Sequence, residues 1–93
     1  MAIHILLADD EKDFVDTLAE RLKIRDFSVR VVYNGLDAIA AVRDSRPDVV
    51  ILDLYMPGLS GDETLQQMAA LHKNLPVILL TGQAGVEESF AKI

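Results

Sequence analysis

The stretch VVILDLYMPGLSG, residues 49–61, is the most informative part of the sequence for the fold and raises the main question about function. Its first four residues are apolar and mostly β-branched, which is typical of a strand that is buried on both faces of a parallel sheet. Asp53 follows this run directly. Because an unpaired buried carboxylate costs a large free energy, the strand must deliver Asp53 to a place where another group compensates its charge.

Short apolar runs alternate with segments of helical periodicity on both sides of this stretch. Strands are predicted over residues 3–8, 28–31, 49–53 and 77–81. The first helix is predicted over residues 12–24, and the second from Asn34-Gly35 to a point before Pro47. The third begins at Gly61 or Asp62, after the capping box of Ser60 and Glu63, and a fourth includes Val86, Phe90 and Ile93. This order requires parallel strands, right-handed crossovers and helices on both faces of the sheet. In such sheets the functional site lies at the carboxyl ends of the strands.

Each predicted helix has an apolar face that should meet the sheet. These faces comprise Phe14, Val15, Leu18 and Leu22 in the first helix, Leu36, Ile39 and Val42 in the second, and Leu65, Met68, Ala69 and His72 in the third. His72, like His4 in the first strand, is interpreted as structural rather than as a ligand or a phosphorylated residue.

Composition excludes several classes of protein. The 93 residues are 51% hydrophobic and 26% charged, which indicates one globular domain. A net charge of −6 and no cluster of basic residues argue against direct nucleic acid binding. The N-terminal apolar run is too short for a signal peptide or a membrane span, and the absence of cysteine fits a reducing compartment. A cytoplasmic location without membrane attachment is therefore expected.

Oxygen ligands collect where the predicted strands end. Asp9-Asp10 follows the first strand, Asp53 ends the third, and Thr81-Gly82 ends the fourth. Taken singly, each side chain could cap a helix or a turn. Taken together, they should converge on one edge of the sheet. Carboxylates that crowd together repel unless a cation compensates them, and hard oxygen ligands favour Mg²⁺, with Mn²⁺ as the alternative.

A carboxylate held beside Mg²⁺ can act as a nucleophile toward phosphorus and form an acyl phosphate. Asp9-Asp10, the strand VVILD with Asp53, the loop from Met56-Pro57 to Gly61, and Thr81-Gly82 together resemble the receiver domain of two-component response regulators. The resemblance implies a flavodoxin-like, doubly wound parallel sheet with four strands in the order 2-1-3-4. It also implies that residues 1–93 form one receiver domain that is incomplete at its C-terminus.

The resemblance assigns roles to individual residues. Asp53 would accept a phosphoryl group from the phosphohistidine of a sensor histidine kinase or a phosphotransfer protein. Asp10 would bind Mg²⁺ directly, with Asp9 beside it or acting through water, and Tyr55 would contribute its backbone carbonyl. Thr81 would be the switch hydroxyl whose movement biases the domain toward an active state.

The remaining implied roles concern the loops and the end of the chain. Pro57 and Gly61 would shape the loop beneath the site, and Gly82 would leave space beside Thr81. The family pattern continues with a fifth strand that ends in a catalytic lysine, and this lysine is not present in the chain, where Lys92 is interpreted as a surface residue. Without a fifth strand the fourth becomes an edge, and a homodimer through the fourth strand and fourth helix is therefore predicted.

Three functions are compatible with these residues. The first is a phosphorylation-switched signalling module that assists its own phosphorylation but is not a turnover enzyme. The second is a pseudo-receiver, a binding module that holds a partner without phosphotransfer. The third is a Mg²⁺-dependent phosphohydrolase, which is disfavoured because Tyr55 occupies the position where that class usually has a second acid.

Overall fold

Four strands alternate with three helices in the computed structural model, which describes residues 2–56 and 58–80. The elements are β1 (His4–Ala8), α1 (Lys12–Ile24), β2 (Ser28–Val32), α2 (Gly35–Asp44), β3 (Val49–Asp53), α3 (Gly61–Leu71) and β4 (Val77–Leu80). Within these residues no helix has the length and apolar character needed to cross a lipid bilayer. The predicted fourth helix, with Val86, Phe90 and Ile93, lies outside the described residues.

The strands form one parallel sheet in the order β2-β1-β3-β4. In the register, Leu7 of β1 is paired with Val31 of β2 on one side and Ile51 of β3 on the other, and Ile51 is paired with Ile78 of β4. The α/β flavodoxin-like fold and its strand order are thereby confirmed. Since β3 lies between two neighbours, its backbone is hydrogen-bonded on both sides, as its continuous apolar run indicates.

Alternate residues of β3 contribute to two separate cores. Val50 and Leu52 are fully buried on the face that packs against α2 and α3, where Met68 is also fully buried. Val49 and Ile51 point the other way and pack against the core that α1 covers. The strand therefore has apolar contacts on both faces. Asp53 is its last residue, so the parallel direction of β3 places this carboxylate at the carboxyl edge of the sheet.

Two large apolar residues lie further from the sheet than their helical spacing predicts. Phe14 in α1 is 49% exposed and Leu36 in α2 is 67% exposed, so their assignment to the buried faces was wrong. The residues that meet the sheet are small or β-branched, such as Ala19 in α1 and Ala38 in α2. Small side chains let a helix backbone approach the sheet closely, which rotates the neighbouring larger residues outward.

The face of α3 also differs from the sequence prediction. Ala69 is exposed and His72 is the half-buried C-cap residue, whereas Thr64 is fully buried. The Thr64 hydroxyl donates a hydrogen bond of 2.8 Å to the Ser60 carbonyl, which allows this polar side chain to sit in the core. A Cβ placed on Gly35 would collide with the Thr64 hydroxyl, so α2 and α3 approach closely at their N-terminal ends.

Side chains cap the N-termini of α2 and α3, and both helices begin where the sequence predicts. The side-chain oxygen of Asn34 accepts a hydrogen bond from the Asp37 N–H at 2.8 Å. The Ser60 hydroxyl accepts one from the Glu63 N–H at 3.1 Å. These caps satisfy N–H groups that have no partner within the helix, and they fix where each helix begins at the carboxyl edge of the sheet.

Candidate functional site

Three carboxylates meet at the carboxyl edge of the sheet. Asp53 is the last residue of β3, Asp9 follows the adjacent β1, and Asp10 comes next. One carboxylate oxygen from each of the three lies within 4.8 Å of the others. Asp9 and Asp53 are buried, with 5% and 6% of their surface exposed, and Asp10 is exposed. This acidic cluster therefore has a buried floor and one side open to solvent.

Backbone N–H groups hold the two buried carboxylates in place. Oδ1 of Asp53 accepts a hydrogen bond of 3.0 Å from the N–H of Tyr55. Oδ1 of Asp9 accepts one of 2.9 Å from the N–H of Glu11. Each aspartate thus starts a tight turn at the end of its strand. Each aspartate can both form a turn and contribute to the acidic cluster, because the turn orients its side chain toward the neighbouring carboxylates.

Burial at the end of β3 raises the pKa of Asp53 from an ordinary value of 3.8 to about 6. Burial is the main cause, and the negative charges of Asp9 and Asp10 add to it, whereas the N–H of Tyr55 acts in the opposite direction. Repulsion of this kind is what a bound cation relieves. Three carboxylate oxygens at close range are also the donor set that Mg²⁺ or Mn²⁺ prefers. The residues present therefore fit a divalent metal.

The loop after Asp53 is held against the start of α3. A Cβ added to Gly61 would lie 2.6 Å from both the Cα and the carbonyl oxygen of Leu54, which directly follows Asp53. Only a residue without a side chain allows this approach. Gly58, in the same loop, adopts a φ of +85°, which also favours glycine. The predicted loop residue Pro57, like Thr81 and Gly82, lies outside the described residues.

A second group of polar contacts, at the same edge of the sheet, was not predicted from the sequence. Lys12, in the first turn of α1, places its Nζ 5.0 Å from the centre of the Tyr33 ring. The Tyr33 hydroxyl donates a hydrogen bond of 2.9 Å to Asp16, which raises the pKa of that hydroxyl. Because Tyr33 follows β2 and the other two residues belong to α1, only the pairing of β1 with β2 brings them together, and no local motif signals the contact.

The chain matches a known protein family over almost its whole length. The family model described as "Response regulator receiver domain" matches residues 5–92. The chain belongs to this family. The resemblance to the receiver domain of two-component response regulators is thereby confirmed.

Individual relatives place the receiver domain within larger proteins. The response regulator MprA of Mycobacterium bovis is 32% identical over 91 residues, which cover 98% of this chain and 40% of the relative. The non-phosphorylated HemR receiver domain from Leptospira biflexa is 31% identical, with a TM-score of 0.85 over 96% of this chain and 72% of that one. NtrX from Brucella abortus, solved with ADP, is 32% identical, with a TM-score of 0.89 over 98% of this chain and 21% of that one.

Proposed function

We propose that Asp53 accepts a phosphoryl group from the phosphohistidine of a sensor histidine kinase or a phosphotransfer protein. The observation that carries this proposal is the convergence of Asp9, Asp10 and Asp53 within 4.8 Å at the open edge of the sheet. A buried strand ends in the acceptor, and two further carboxylates stand beside it. Repulsion among three carboxylates disfavours their close approach, and a bound cation would offset it, which supports a metal site here.

Asp9, Asp10 and Asp53 would hold Mg²⁺ together with the backbone carbonyl of Tyr55, and Mn²⁺ would serve in its place. When bound, the metal neutralises the cluster and stabilises negative charge on phosphoryl oxygens. The turn at Asp53 supports a metal contact from Tyr55, because the N–H of Tyr55 donates a hydrogen bond to Oδ1 of Asp53 and keeps this part of the loop close to the acidic cluster.

The chain's own part in the transfer is to supply and orient the nucleophile. Oδ2 of ionised Asp53 attacks phosphorus and a new O–P bond forms as the P–N bond of the phosphohistidine breaks. The electron pair of that bond stays on the imidazole nitrogen. Because Oδ1 already accepts a hydrogen bond from Tyr55, the carboxylate is fixed before the donor arrives, which lowers the cost of reaching the reactive geometry.

The signalling consequence follows from the family and not from the described residues. Thr81 would donate its hydroxyl proton in a hydrogen bond to the transferred phosphoryl group, with Gly82 leaving room beside it. This contact would shift the population toward a state that an output domain or partner recognises. A second copy that pairs along β4 would provide such a partner, and this homodimer stays a prediction.

Acetyl phosphate tests the chemistry without requiring the cognate kinase. The chain is incubated with acetyl phosphate and Mg²⁺, and intact mass is measured before and after treatment with hydroxylamine. We expect one added phosphoryl group that hydroxylamine removes, and no adduct on Asp53→Asn. The matched control is Asp13→Asn, which removes an acidic residue from the first turn of α1 and should leave the adduct intact. A folded, Mg²⁺-binding chain that takes no phosphoryl group would favour the pseudo-receiver function.

A further inference from the structure

A cavity of about 260 Å³ lies at the edge of the sheet opposite to the acidic cluster. It opens between the start of β1, the neighbouring β2 and the C-terminal end of α2. Its walls include His4, Leu6, Arg30, Ala41 and Arg46. A cavity of about 150 Å³ is enough for a benzene ring, so this one has room for a ring and an attached polar group.

The register of the sheet explains why these side chains share one space. His4 is paired with Ser28, and Leu6 is paired with Arg30. Alternate residues of a strand point to the same face, so the four lie on the face of the sheet that α2 covers. Leu6 and Ala41 belong to the core on this face. The cavity therefore has an apolar floor and a rim with two arginines.

The charges of the domain are divided between the two edges of the sheet. At the carboxyl edge, the strand ends, the loops that follow them and the first helical turns carry eight acidic residues and one lysine within the described residues. At the amino edge, the last helical turns and the loops that follow them carry six basic residues and three aspartates within the same part of the chain. The cavity thus opens at the edge that attracts anions.

The two arginines at the rim retain donors for a ligand. Among residues 2–56 and 58–80, Arg30 forms one ion pair, of 3.5 Å with Asp44, and because the two side chains are 57% and 74% exposed, the pair contributes little stability. Arg46 donates a hydrogen bond of 3.0 Å to the Pro47 carbonyl and one of 3.5 Å to the Asn74 carbonyl. A guanidinium has five N–H donors, and these contacts orient it without using all of them.

We propose that this cavity binds a small organic oxyanion, a ring that carries a phosphate or carboxylate group. The anionic group is held by the guanidinium groups of Arg30 and Arg46, which match two oxygens at once. The ring packs on Leu6 and Ala41. The anion replaces the exposed carboxylate of Asp44 as the partner of Arg30, an exchange that costs little because the existing pair is exposed.

Nuclear magnetic resonance of the full chain, in EDTA, tests the proposal with phenyl phosphate and benzoate as the two probes. We expect saturable shifts of the amides of residues 4–6, 28–30 and 45–46 with at least one probe, and the stronger probe identifies the oxyanion class. Phenol at the same concentrations should leave these amides unshifted. Shifts confined to other residues, no saturable shift, or equal binding of phenol would each overturn the proposal.

Charge-matched variants assign the effect to the rim. Arg30→Gln and Arg46→Gln should each weaken binding about fivefold or more, because each removes a charge-assisted contact. Arg43→Gln makes the same change in net charge on the last turn of α2 without lining the cavity, and its affinity should stay within about twofold of the wild type. Equal weakening in all three variants would show a general charge effect and overturn the site.

A gain of affinity provides a test that loss of folding cannot imitate. Asp44→Asn frees Arg30 and should tighten binding of the probe more than Asp26→Asn, which makes the same change in net charge in the loop after α1. If the two variants bind equally, Asp44 does not compete with the ligand and the proposal fails. The experiment is repeated on Asp53→Asn, where binding should be unchanged, so that its outcome is independent of the phosphoryl-acceptor role.

Discussion

Gly61, the first residue of α3, lies against Leu54 so closely that a Cβ on the glycine would be 2.6 Å from the Cα of Leu54. Leu54 is the residue after Asp53, so this contact joins the start of α3 to the backbone that carries the acceptor carboxylate. The glycine is buried at this position. The position of Asp53 therefore depends on a residue eight positions further along the chain.

Gly61→Ala should destabilise the domain and disturb the acidic cluster. The added methyl group meets backbone atoms that cannot rotate away, and we expect a loss of about 2 kcal/mol or more in the free energy of unfolding, measured with urea. Mg²⁺ affinity should fall as well, because the loop must move. Gln66→Ala, at an exposed position of the same helix, should change stability by less than about 0.5 kcal/mol. Equal stability of the two variants would show that Gly61 and Leu54 are not in close contact.

Asp26 offers a site where the sequence is not optimal for stability. It adopts a φ of +70° after α1, and the N–H groups of Asp26 and Phe27 donate to the carbonyls of Lys23 and Leu22. This is the Schellman arrangement, in which glycine is preferred at the left-handed position. Asp26→Gly should be more stable than Asp26→Ala by about 1 kcal/mol, measured by thermal unfolding. The reverse order would show that the turn is not left-handed.

The raised pKa of Asp53 makes the stability of the metal-free domain depend on pH. The native state keeps this proton to about pH 6, whereas the unfolded chain loses it near pH 3.8. The native state thus binds more protons between these values, and the free energy of unfolding falls as the pH rises through them. Asp53→Asn cannot ionise, so its stability relative to the wild type should increase from pH 4 to pH 7.

Urea unfolding in EDTA across this range measures the effect, with wild type and Asp53→Asn compared at each pH. Asn retains an oxygen that can accept the hydrogen bond from Tyr55, so the difference reports mainly on charge. A stability difference that stays constant from pH 4 to pH 7 would show that the carboxyl titrates normally. It would also weaken the case that Asp9 and Asp10 repel it.

Mg²⁺ should stabilise the native state through the acidic cluster. A ligand that binds only the native state at 100 times its Kd adds about 2.7 kcal/mol to the free energy of unfolding. We expect the rise in Tm with Mg²⁺ to be reduced strongly in Asp10→Asn and to persist in Asp13→Asn, an acidic residue of the first turn of α1. If both variants lose the same increase, Mg²⁺ acts on the general charge of this edge and not on a defined site.

Sequence patterns predicted the elements and their order because both depend on local properties. The apolar run before Asp53 indicates a buried strand, and Asn34 and Ser60 mark helix starts through their own hydrogen bonds. The parallel order then places Asp9 and Asp53 at one edge. These inferences need no knowledge of how one helix packs on another.

Features that depend on packing between elements were not predictable in this way. Phe14 and Leu36 occur at helical spacing but are exposed, because neighbouring small residues of each helix make the contact with the sheet. Thr64 is buried because its hydroxyl bonds to Ser60, which a hydrophobic pattern cannot indicate. The contact of Lys12 with the Tyr33 ring likewise depends on the pairing of β1 with β2.

Chemical reduction of the phosphorylated chain identifies which aspartate carries the phosphoryl group. After reaction with acetyl phosphate and Mg²⁺, borohydride reduction converts an aspartyl phosphate to homoserine, which peptide mass spectrometry assigns to a residue. We expect homoserine at position 53 and at no other aspartate, and no product when EDTA replaces Mg²⁺. Homoserine at position 9 or 10, or a product that forms equally well in EDTA, would show that Asp53 is not the metal-dependent phosphoryl acceptor.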